Sequence, residues 1–526
     1  MPSERHRGLY RIATNYGRLA ATMGMGIVTV PLQIAWLGLD GFGLLGLIGS
    51  SVGIGRMLQD MMRHSMVREL GTSWHKDDGE FRKCYASAYI VCAIVAALTA
   101  VFFAILMFIV PLLRIKEEWV APSQWILAAE GIATCIIVFF SPTINMLVVQ
   151  EKFLSHNTWT VARRSSYLIA TVVPMYMMGI TDSARGLTVY GTLVMVVNLV
   201  ATGILLIWII AGDRRMLPRM RGASREPLRE VAGTFGWNSS VVLAMNLHSR
   251  VSQYIMNLLF GLWGNAVFSL ALRLVSYVRM ASLGMTFGLD AVSARLSSTD
   301  ESDTLKAMFR HSTRLLSFVA FPAMVVVFFL AEPLLRLWIG RATQDPHPES
   351  GLPVFVPAEM LVKIMVIGLA ARAISDGWLK LFYGGGHIRR YAPLVLAGGL
   401  LNPIIMIGLY FLLPDAWRYT SVGIAIAAIY LVIHFFWIPA RAGGGVGLRT
   451  KDIIAPACPA LLAALLSAPT LLLAGALSTG DHIGWLGVSV AVSAYAAAYA
   501  VLSWILMLNS SERSGVLRLL RRQVAG

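Results

Sequence analysis

The segment CYASAYIVCAIVAALTAVFFAILMFIVPL, residues 84–112, contains no charged side chain. About 20 apolar residues in a helix are enough to cross the roughly 30 Å of hydrocarbon in a bilayer, so this segment predicts a transmembrane helix. Its apolar residues are continuous and do not alternate with polar ones, which argues against a strand of a membrane β-barrel.

Segments of this kind recur from one end of the sequence to the other. The chain has 526 residues, of which 57% are hydrophobic and 14% charged, whereas soluble domains carry about 25% charged residues. We therefore predict an all-α polytopic membrane protein with about 14 transmembrane helices. The predicted spans lie near residues 13–36, 41–62, 84–112, 122–149, 161–180, 187–211, 233–258, 264–293, 309–332, 357–383, 391–413, 420–440, 454–476 and 483–508.

The basic residues are distributed as expected for membrane orientation. Of the 44 Lys and Arg residues, 31 fall in every second connecting segment, Arg163 and Arg164 at the start of span 161–180 among them, and six fall in the intervening segments. The positive-inside rule therefore predicts that both termini are cytoplasmic. The net charge of +16 is spread over these segments and forms no single patch, so we expect no nucleic-acid partner.

Two parts of the chain repeat the same landmarks. Asn15 stands 23 residues before Gly38, and Asn238 stands 23 residues before Gly261, which gives an offset of 223. Six spans per copy would orient both copies the same way and place the substrate site between them. The predicted divisions are an N-terminal six-helix bundle at 1–212, a basic cytoplasmic linker at 213–232, a C-terminal six-helix bundle at 233–440, and two additional helices with an amphipathic cytoplasmic tail at 441–526.

Basic side chains outnumber acidic ones inside the predicted spans. A cation near the bilayer centre costs at least about 2.5–3.5 kcal/mol, so such residues usually face an interior cavity. The excess of positive charge predicts a water-filled chamber that attracts anions. The acids are Asp60, Glu130, Asp290 and Asp376. The cations are Arg18, Arg56, Arg250, Arg273, Arg279, Lys363 and Arg372.

Five of these arginines are the candidates for substrate binding. Arginine suits phosphate because its planar fork donates two hydrogen bonds and keeps its charge. The strongest candidate, Arg273, has no acid within four residues on its helix, although a role in helix packing would also explain its position. Under the offset of 223, Arg56 and Arg279 occupy equivalent positions and could form a clamp. The candidates are Arg250, Arg273, Arg279, Arg372 and Arg56, of which Arg273 is the isolated one, and Arg56 and Arg279 are the equivalent pair.

Three carboxylates are candidates for coupling to protons or cations. Asp60 and Asp376 each follow an arginine by four residues and precede another basic side chain by four, so each lies on a charged helical face. On each of these faces, either the charges neutralise one another along the helix, or the carboxylate couples transport to a proton or cation. Asp290 is the third candidate. Glu130 is isolated in its span, and we expect a neutral buried carboxyl there, whereas Arg18 and Lys363 should reach the interface.

The sequence resembles the Wzx-type polysaccharide flippases of the multidrug/oligosaccharidyl-lipid/polysaccharide (MOP) exporter superfamily. The likeness extends over essentially the whole chain, but each motif is loose. The resembling stretches are NYG at 15–17, LGLDGFGL at 37–44, SP at 141–142, QEKF at 150–153, EPLLRLWIG at 332–340 and NP at 402–403. The Asp-Ala-Phe and Pro-Asn signatures of the peptidoglycan-precursor flippases are absent near spans one and two.

The resemblance implies two six-helix bundles in a V, with two extra C-terminal helices, that open alternately to either side around a cationic central cavity. It implies an undecaprenyl-pyrophosphate-linked glycan as the substrate, moved across a bacterial cytoplasmic (inner) membrane to supply O-antigen, capsule or exopolysaccharide. It also implies membrane lipids, a polysaccharide polymerase and glycosyltransferases as partners. The cationic lining would fall on Arg250, Arg273, Arg279 and Arg372, with Arg56 behind them.

Two other classes remain open. A cation- or proton-coupled multidrug-type antiporter of the same superfamily would favour an acidic or aromatic chamber, which the charge balance opposes. An integral-membrane glycan polymerase or ligase would usually need paired acids or an Arg/His pair on a sizeable outer loop, but the predicted outer loops are short and the one large loop lacks paired carboxylates near the end of a span. We therefore predict a protein that is not an enzyme. The four cysteines lack metal-ligand spacing, and we expect no metal and no cofactor.

Overall fold

The computed structural model describes residues 4–74, 78–223, 236–286, 289–298, 301–340, 355–476, 484–508 and 512–514. Within these ranges the chain forms α-helices with short 3-10 and π-helical segments, and no strand. The predicted all-α fold class is confirmed. The first six helices are α1 (Glu4–Trp74), α2 (Asp78–Ile109), α3 (Glu117–Phe139), α4 (Ser141–Val149), α5 (Phe153–Val172) and α6 (Ser183–Gly212).

The remaining helices are more often interrupted by π or 3-10 turns. One π segment, Leu247–Val251, joins two helices, and another, Tyr430–Trp437, joins two more. The helices are α7 (Gly236–Asn246), α8 (Ser252–Leu283), α9 (Leu289–Ser298), α10 (Ser302–Phe329), α11 (Ala331–Ile339), α12 (Phe355–Gly384), α13 (Ile388–Leu412), α14 (Ser421–Ile429), α15 (Ile438–Ala442), α16 (Thr450–Ile454), α17 (Cys458–Ser467), α18 (Leu473–Ala476) and α19 (Trp485–Leu506).

Ten helical stretches of the described residues are long and apolar enough to cross a membrane. The first of them, Thr14–Met57, contains two predicted spans, 13–36 and most of 41–62. Three other predicted spans do not meet this standard, namely those over α5, α7 and α12. The helices α5 and α12 carry the charged side chains described below, which makes them less apolar than their neighbours, whereas α7 has only 11 residues before the π segment Leu247–Val251.

Two glycines break the helices at equivalent positions of the internal repeat. Gly38 interrupts α1 with φ 72° and ψ 179°, and Gly261 interrupts α8 with φ 63° and ψ −157°. This combination of angles is essentially restricted to glycine. The two copies therefore share a backbone conformation as well as a sequence spacing.

The chain divides into two compact units. Unit 1 comprises Met1–Ser269 and Val395–Val422, and unit 2 comprises Leu270–Leu394 and Gly423–Gly526. The division predicted at 213–232 and the bundles predicted around it stay predictions. The predicted amphipathic tail lies outside the described residues, apart from the short helical piece 512–514.

In unit 1, α5 packs between α1 and α6, and α3 packs between α2 and α6. The core near the start of α2 contains the aromatic side chains of Phe81, Tyr85 and Tyr89, all of them buried. Tyr85 and Tyr89 both hydrogen-bond to the hydroxyl of Thr143 in α4, and Tyr85 also donates to the carbonyl of Met216. These contacts fix α4 and the segment that follows α6 to the rigid end of α2.

In unit 2, α12 packs against α9, α10 and the π segment Tyr430–Trp437. Trp378 on α12 is completely buried and donates its indole N–H to the hydroxyl of Thr313 on α10. The helices α17 and α19 pack against each other, and α17 also packs on α10. This packing holds the charged face of α12 inside unit 2.

Candidate functional site

The charged face of α5 is the main polar feature of unit 1. In the stretch HNTWTVARRSSY, residues 156–167, Trp159, Arg163 and Tyr167 are four residues apart and therefore share one helical face. Arg164 follows Arg163 directly. Because α5 packs against α1, this face meets the part of α1 that carries Arg56.

These side chains line a cavity of about 240 Å³ within unit 1. Of the described residues that line it, four are arginines and none is an Asp or Glu. Arg18, which was expected to reach the interface, is among the residues that line this cavity. The arginines are Arg18, Arg56, Arg163 and Arg164, and Trp159 and Asn198 lie beside them.

A closed triangle of hydrogen bonds holds Arg56. Its Nη2 donates to Oε2 of Glu130 at 3.0 Å and to the hydroxyl of Tyr167 at 2.9 Å, and the Tyr167 hydroxyl donates to Oε1 of Glu130 at 2.9 Å. The Glu130 side chain is 4% exposed and that of Arg56 is 20% exposed. The expectation of an isolated Glu130 was therefore wrong, because the guanidinium of Arg56, from another helix, lies against its carboxyl group.

Neutral groups orient Arg163. Its Nε donates to the amide oxygen of Asn198 on α6 at 3.0 Å, and its guanidinium lies 4.7 Å from the ring centre of Trp159. Asn198 is itself fixed by hydrogen bonds to Ser166 and to a carbonyl of its own helix. No carboxylate among the described residues forms an ion pair with Arg163, so this guanidinium retains its capacity to bind an anion.

The second charged cluster lies within unit 2. Asp376 accepts a hydrogen bond from Nε of Arg279 at 2.7 Å, and its other oxygen lies 2.8 Å from Nη2 of Arg372. Arg372 also contacts Nδ1 of His434, and its guanidinium faces the ring of Tyr430. Two guanidiniums therefore share one carboxylate, and the Arg372 side chain is only 4% exposed.

The candidate coupling acids have different surroundings. Asp376 forms part of the ladder predicted along its helix through Arg372, and it also binds Arg279 from another helix. Asp290 lies 3.6 Å from Lys380, and both side chains are partly exposed. The side chain of Asp60 lies outside the described residues.

Arg250 is held within unit 1. It lies in the π segment Leu247–Val251, donates to the carbonyl of Gly49 at 3.2 Å, and packs so closely on Gly53 that a Cβ there would lie 2.2 Å from its guanidinium carbon. The neighbouring amides of Gln253 and Asn257 also bond inside unit 1, to Ser269 and to the backbone of Arg114. The polar side chains around Arg250 therefore serve at least partly to pack the helices of unit 1.

The last two predicted cations lie in unit 2. Arg273 is half-buried on α8, one turn before Tyr277, whose ring contacts Trp338 edge-on. Lys363 pairs with Glu359 one turn earlier on α12 at 2.5 Å. Sequence reasoning missed Arg163 and Arg164, which it assigned to a cytoplasmic segment. The four-residue spacing of Trp159, Arg163 and Tyr167 was the available signal.

The chain is similar to known transporters in its fold and over part of its sequence. Residues 241–407 match the MatE family model. The sequence matches no curated protein. A structure of the lipid II flippase MurJ in an inward closed conformation superposes with a TM-score of 0.67 at 12% identity, over 94% of this chain and 98% of that one.

Two further solved structures have the same architecture. A MATE protein in complex with MaL6 gives a TM-score of 0.61 at 15% identity, over 82% of this chain and 96% of that one. A MOP superfamily transporter from Pyrococcus furiosus gives a TM-score of 0.57 at 13% identity, over 88% and 96% of the two chains. This chain has the MOP transporter fold. Its apolar helices accordingly belong to a multi-pass membrane protein.

Proposed function

We propose that this protein is a MOP superfamily transporter that moves a lipid-linked oligosaccharide across the membrane by alternating access, binding the diphosphate of the lipid through arginines. The observation that supports the proposal is the cavity in unit 1, whose described lining has four arginines and no Asp or Glu. Each charge-assisted hydrogen bond from a guanidinium to a phosphate contributes about 1.5–3 kcal/mol. A cavity of this kind favours an anion over an organic cation.

The volume and the neighbouring side chains are consistent with a diphosphate. The cavity of about 240 Å³ has room for the charged group but not for a whole lipid-linked glycan. The indole of Trp159 and the amide of Asn198 hold the Arg163 guanidinium in a fixed orientation. A pre-oriented guanidinium loses less conformational freedom on binding than a mobile one, which increases affinity.

We further propose that the other candidate arginines take part along the path of the anion. Arg56 belongs to the cavity in unit 1, whereas Arg279 and Arg372 are partly neutralised by Asp376. Arg250 and Arg273 remain proposals on the basis of their position in half-buried helices. Asp60, Asp376 and Asp290 remain the proposed coupling residues.

The proposed setting follows the resemblance to the Wzx-type flippases. The protein would lie in a bacterial inner membrane with both termini in the cytoplasm, and would supply surface polysaccharide without itself catalysing a reaction. Polymerase and glycosyltransferase partners belong to the same proposal. The likeness to MurJ, a lipid II flippase, supports a lipid-linked cargo in general and not a particular glycan.

Translocation in proteoliposomes tests the proposal. The substrate is a fluorescent undecaprenyl-diphosphate-linked oligosaccharide, and the variant is Arg163→Gln with Arg164→Gln. Because two phosphate ligands are lost, we expect transport to fall at least about tenfold. Arg185→Gln is the matched control, since Arg185 is an exposed arginine of the same unit that does not line the cavity, and its transport should be unchanged. Equal transport by the double variant and the control would contradict the proposal.

A second candidate function is antiport of organic cations. The observation that favours it is the MatE match over residues 241–407, together with buried carboxylates at Glu130 and Asp376. The same proteoliposomes, loaded with a cationic dye under a proton gradient, distinguish the two functions. Dye exchange that requires Glu130 but not Arg163 would favour the antiporter.

A further inference from the structure

A second basic cleft lies at the end of the membrane-spanning helices of unit 1. It is formed by the start of α2 and by the segment that follows α6, and its volume is about 420 Å³. Six of its lining residues are basic and none of those described is acidic. The basic residues are Arg82, Lys83, Arg214, Arg215, Arg219 and Arg221.

The segment that carries most of these cations is anchored to the core of unit 1. Met216 is completely buried among the aromatic side chains at the start of α2, and its carbonyl accepts a hydrogen bond from Tyr85 at 2.8 Å. Arg215 stacks on Trp74, with its guanidinium carbon 4.8 Å from the ring centre. These contacts therefore fix the part of the segment at Arg215 and Met216 against the side chains around the start of α2.

One of the six cations is already neutralised and serves to hold the segment. Arg215 donates to both oxygens of Asp213 at 3.1 Å and also pairs with Asp78 at 3.3 Å. The hydrogen bonds from Arg215 hold the pKa of the Asp213 carboxyl below its usual range, so this acid stays charged near neutral pH.

The other five cations have a different environment. Within the described part of the chain, no carboxylate forms an ion pair with any of them. They are exposed, and they project from the ends of two helices that are apolar enough to span a membrane. The residues are Arg82, Lys83, Arg214, Arg219 and Arg221.

Apolar side chains accompany these cations. Leu217 is 41% exposed and Met220 is 45% exposed, and they alternate with basic residues in the stretch RRMLPRMR at 214–221. Exposed apolar side chains beside arginines are typical of segments that lie at the boundary between lipid headgroups and acyl chains. Basic residues next to a transmembrane helix bind anionic lipids through the same combination of contacts.

We propose that this cleft, in which a tyrosine-anchored arginine segment faces Arg82 and Lys83 beside exposed Leu217 and Met220, is a binding site for the headgroup of an anionic glycerophospholipid. The phosphate would lie among the guanidiniums, and the two apolar side chains would contact the acyl region. The proposal does not depend on what the cavity in unit 1 carries. It commits to a lipid and not to soluble phosphate because the apolar contacts require one.

Thermal unfolding of the purified full-length protein in a neutral detergent tests the site. Phosphatidylglycerol is titrated, and the concentration that gives half of the increase in Tm is measured. Each cation near an anionic lipid surface changes binding about fivefold. For Arg214→Gln with Arg219→Gln and Arg221→Gln we therefore expect at least about a tenfold higher concentration, and the corresponding Lys variant should stay close to wild type.

The control removes three arginines from another basic cleft, in unit 2. This cleft is lined by Arg389, Arg390 and Arg441. Because this cleft has three basic lining residues and not six, the corresponding triple Gln variant should raise the half-effect concentration clearly less than the first triple variant does, and phosphatidylcholine or inorganic phosphate should not raise Tm. The proposal is overturned if the first triple variant binds like wild type, if the control triple loses as much, or if inorganic phosphate stabilises the protein as well as the lipid does. The Tm measured without lipid shows whether each variant is folded.

Discussion

The two units contain arginines at equivalent positions of the repeat but neutralise them differently. In unit 1, Arg56 forms an ion pair with Glu130 while three other arginines line the adjoining cavity. In unit 2, the equivalent Arg279 shares Asp376 with a buried arginine, Arg372. The acids do not correspond under the offset of 223, so the repeat preserves the cation and not its counter-ion.

This difference assigns different tasks to the two clusters. A carboxylate that bridges two guanidiniums from different helices, one of them buried, stabilises the packing of those helices. A cavity lined by Arg163, with which no described carboxylate forms an ion pair, attracts an anion, because a cation inside a membrane is costly without a counter-ion. Unit 1 is therefore the better candidate for holding the diphosphate, whereas the ion pairs of Asp376 also stabilise the helix packing of unit 2.

The largest expected effect is on the stability of unit 2. Asp376→Asn leaves two arginines without their shared carboxylate, and Arg372 is 4% exposed. Removing one partner of a buried ion pair costs about 3–5 kcal/mol. We expect the free energy of unfolding, measured by denaturation in SDS, to fall by this amount. Asp303→Asn is the control, since Asp303 is 95% exposed and pairs with Lys306 on the surface, and its cost should stay below about 1 kcal/mol.

The equivalent change in unit 1 should be milder. Glu130→Gln leaves Arg56 with its hydrogen bond to Tyr167 and with access to the cavity. We expect a loss of about 1–3 kcal/mol in the free energy of unfolding, and tighter binding of inorganic pyrophosphate because the cavity gains net positive charge. A loss as large as that of Asp376→Asn, with no gain in affinity, would mean that the two clusters do not differ.

A smaller effect concerns the feature that the two copies share. Gly38→Ala and Gly261→Ala should each cost about 1–3 kcal/mol, because alanine is strained at these backbone angles. Neither glycine has a neighbouring atom that an added Cβ would meet, so the cost is one of backbone conformation alone. Gly24→Ala tests this reasoning, since Gly24 is helical with open space around it and should lose nothing. Unequal costs at Gly38 and Gly261 would show that the copies differ locally.

The sequence predicts the fold well because the length of an apolar segment and the distribution of charges along the chain are local properties. Gly38 and Gly261 fall between predicted spans, and the pairing of Arg372 with Asp376 was predicted from their four-residue separation along one helix. The pairing of Arg56 with Glu130 could not be predicted, because the two residues are 74 positions apart and meet only through helix packing.

The same reasoning explains the omission of Arg163 and Arg164 from the predicted site. Two adjacent arginines in a weakly apolar stretch are typical of a cytoplasmic helix end, and the positive-inside rule assigns them there. A helix that lines a polar cavity has the same composition, so hydropathy does not distinguish the two cases. Only the packing of α5 between α1 and α6 distinguishes them.

The most direct test of the account is the affinity of the purified protein for inorganic pyrophosphate, measured by isothermal titration calorimetry with three variants. Arg163→Gln with Arg164→Gln should weaken binding at least about tenfold. Arg279→Gln in unit 2 and the exposed Arg185→Gln should change it less than threefold. The account is contradicted if the double variant binds pyrophosphate like wild type, or if Arg279→Gln alone abolishes binding.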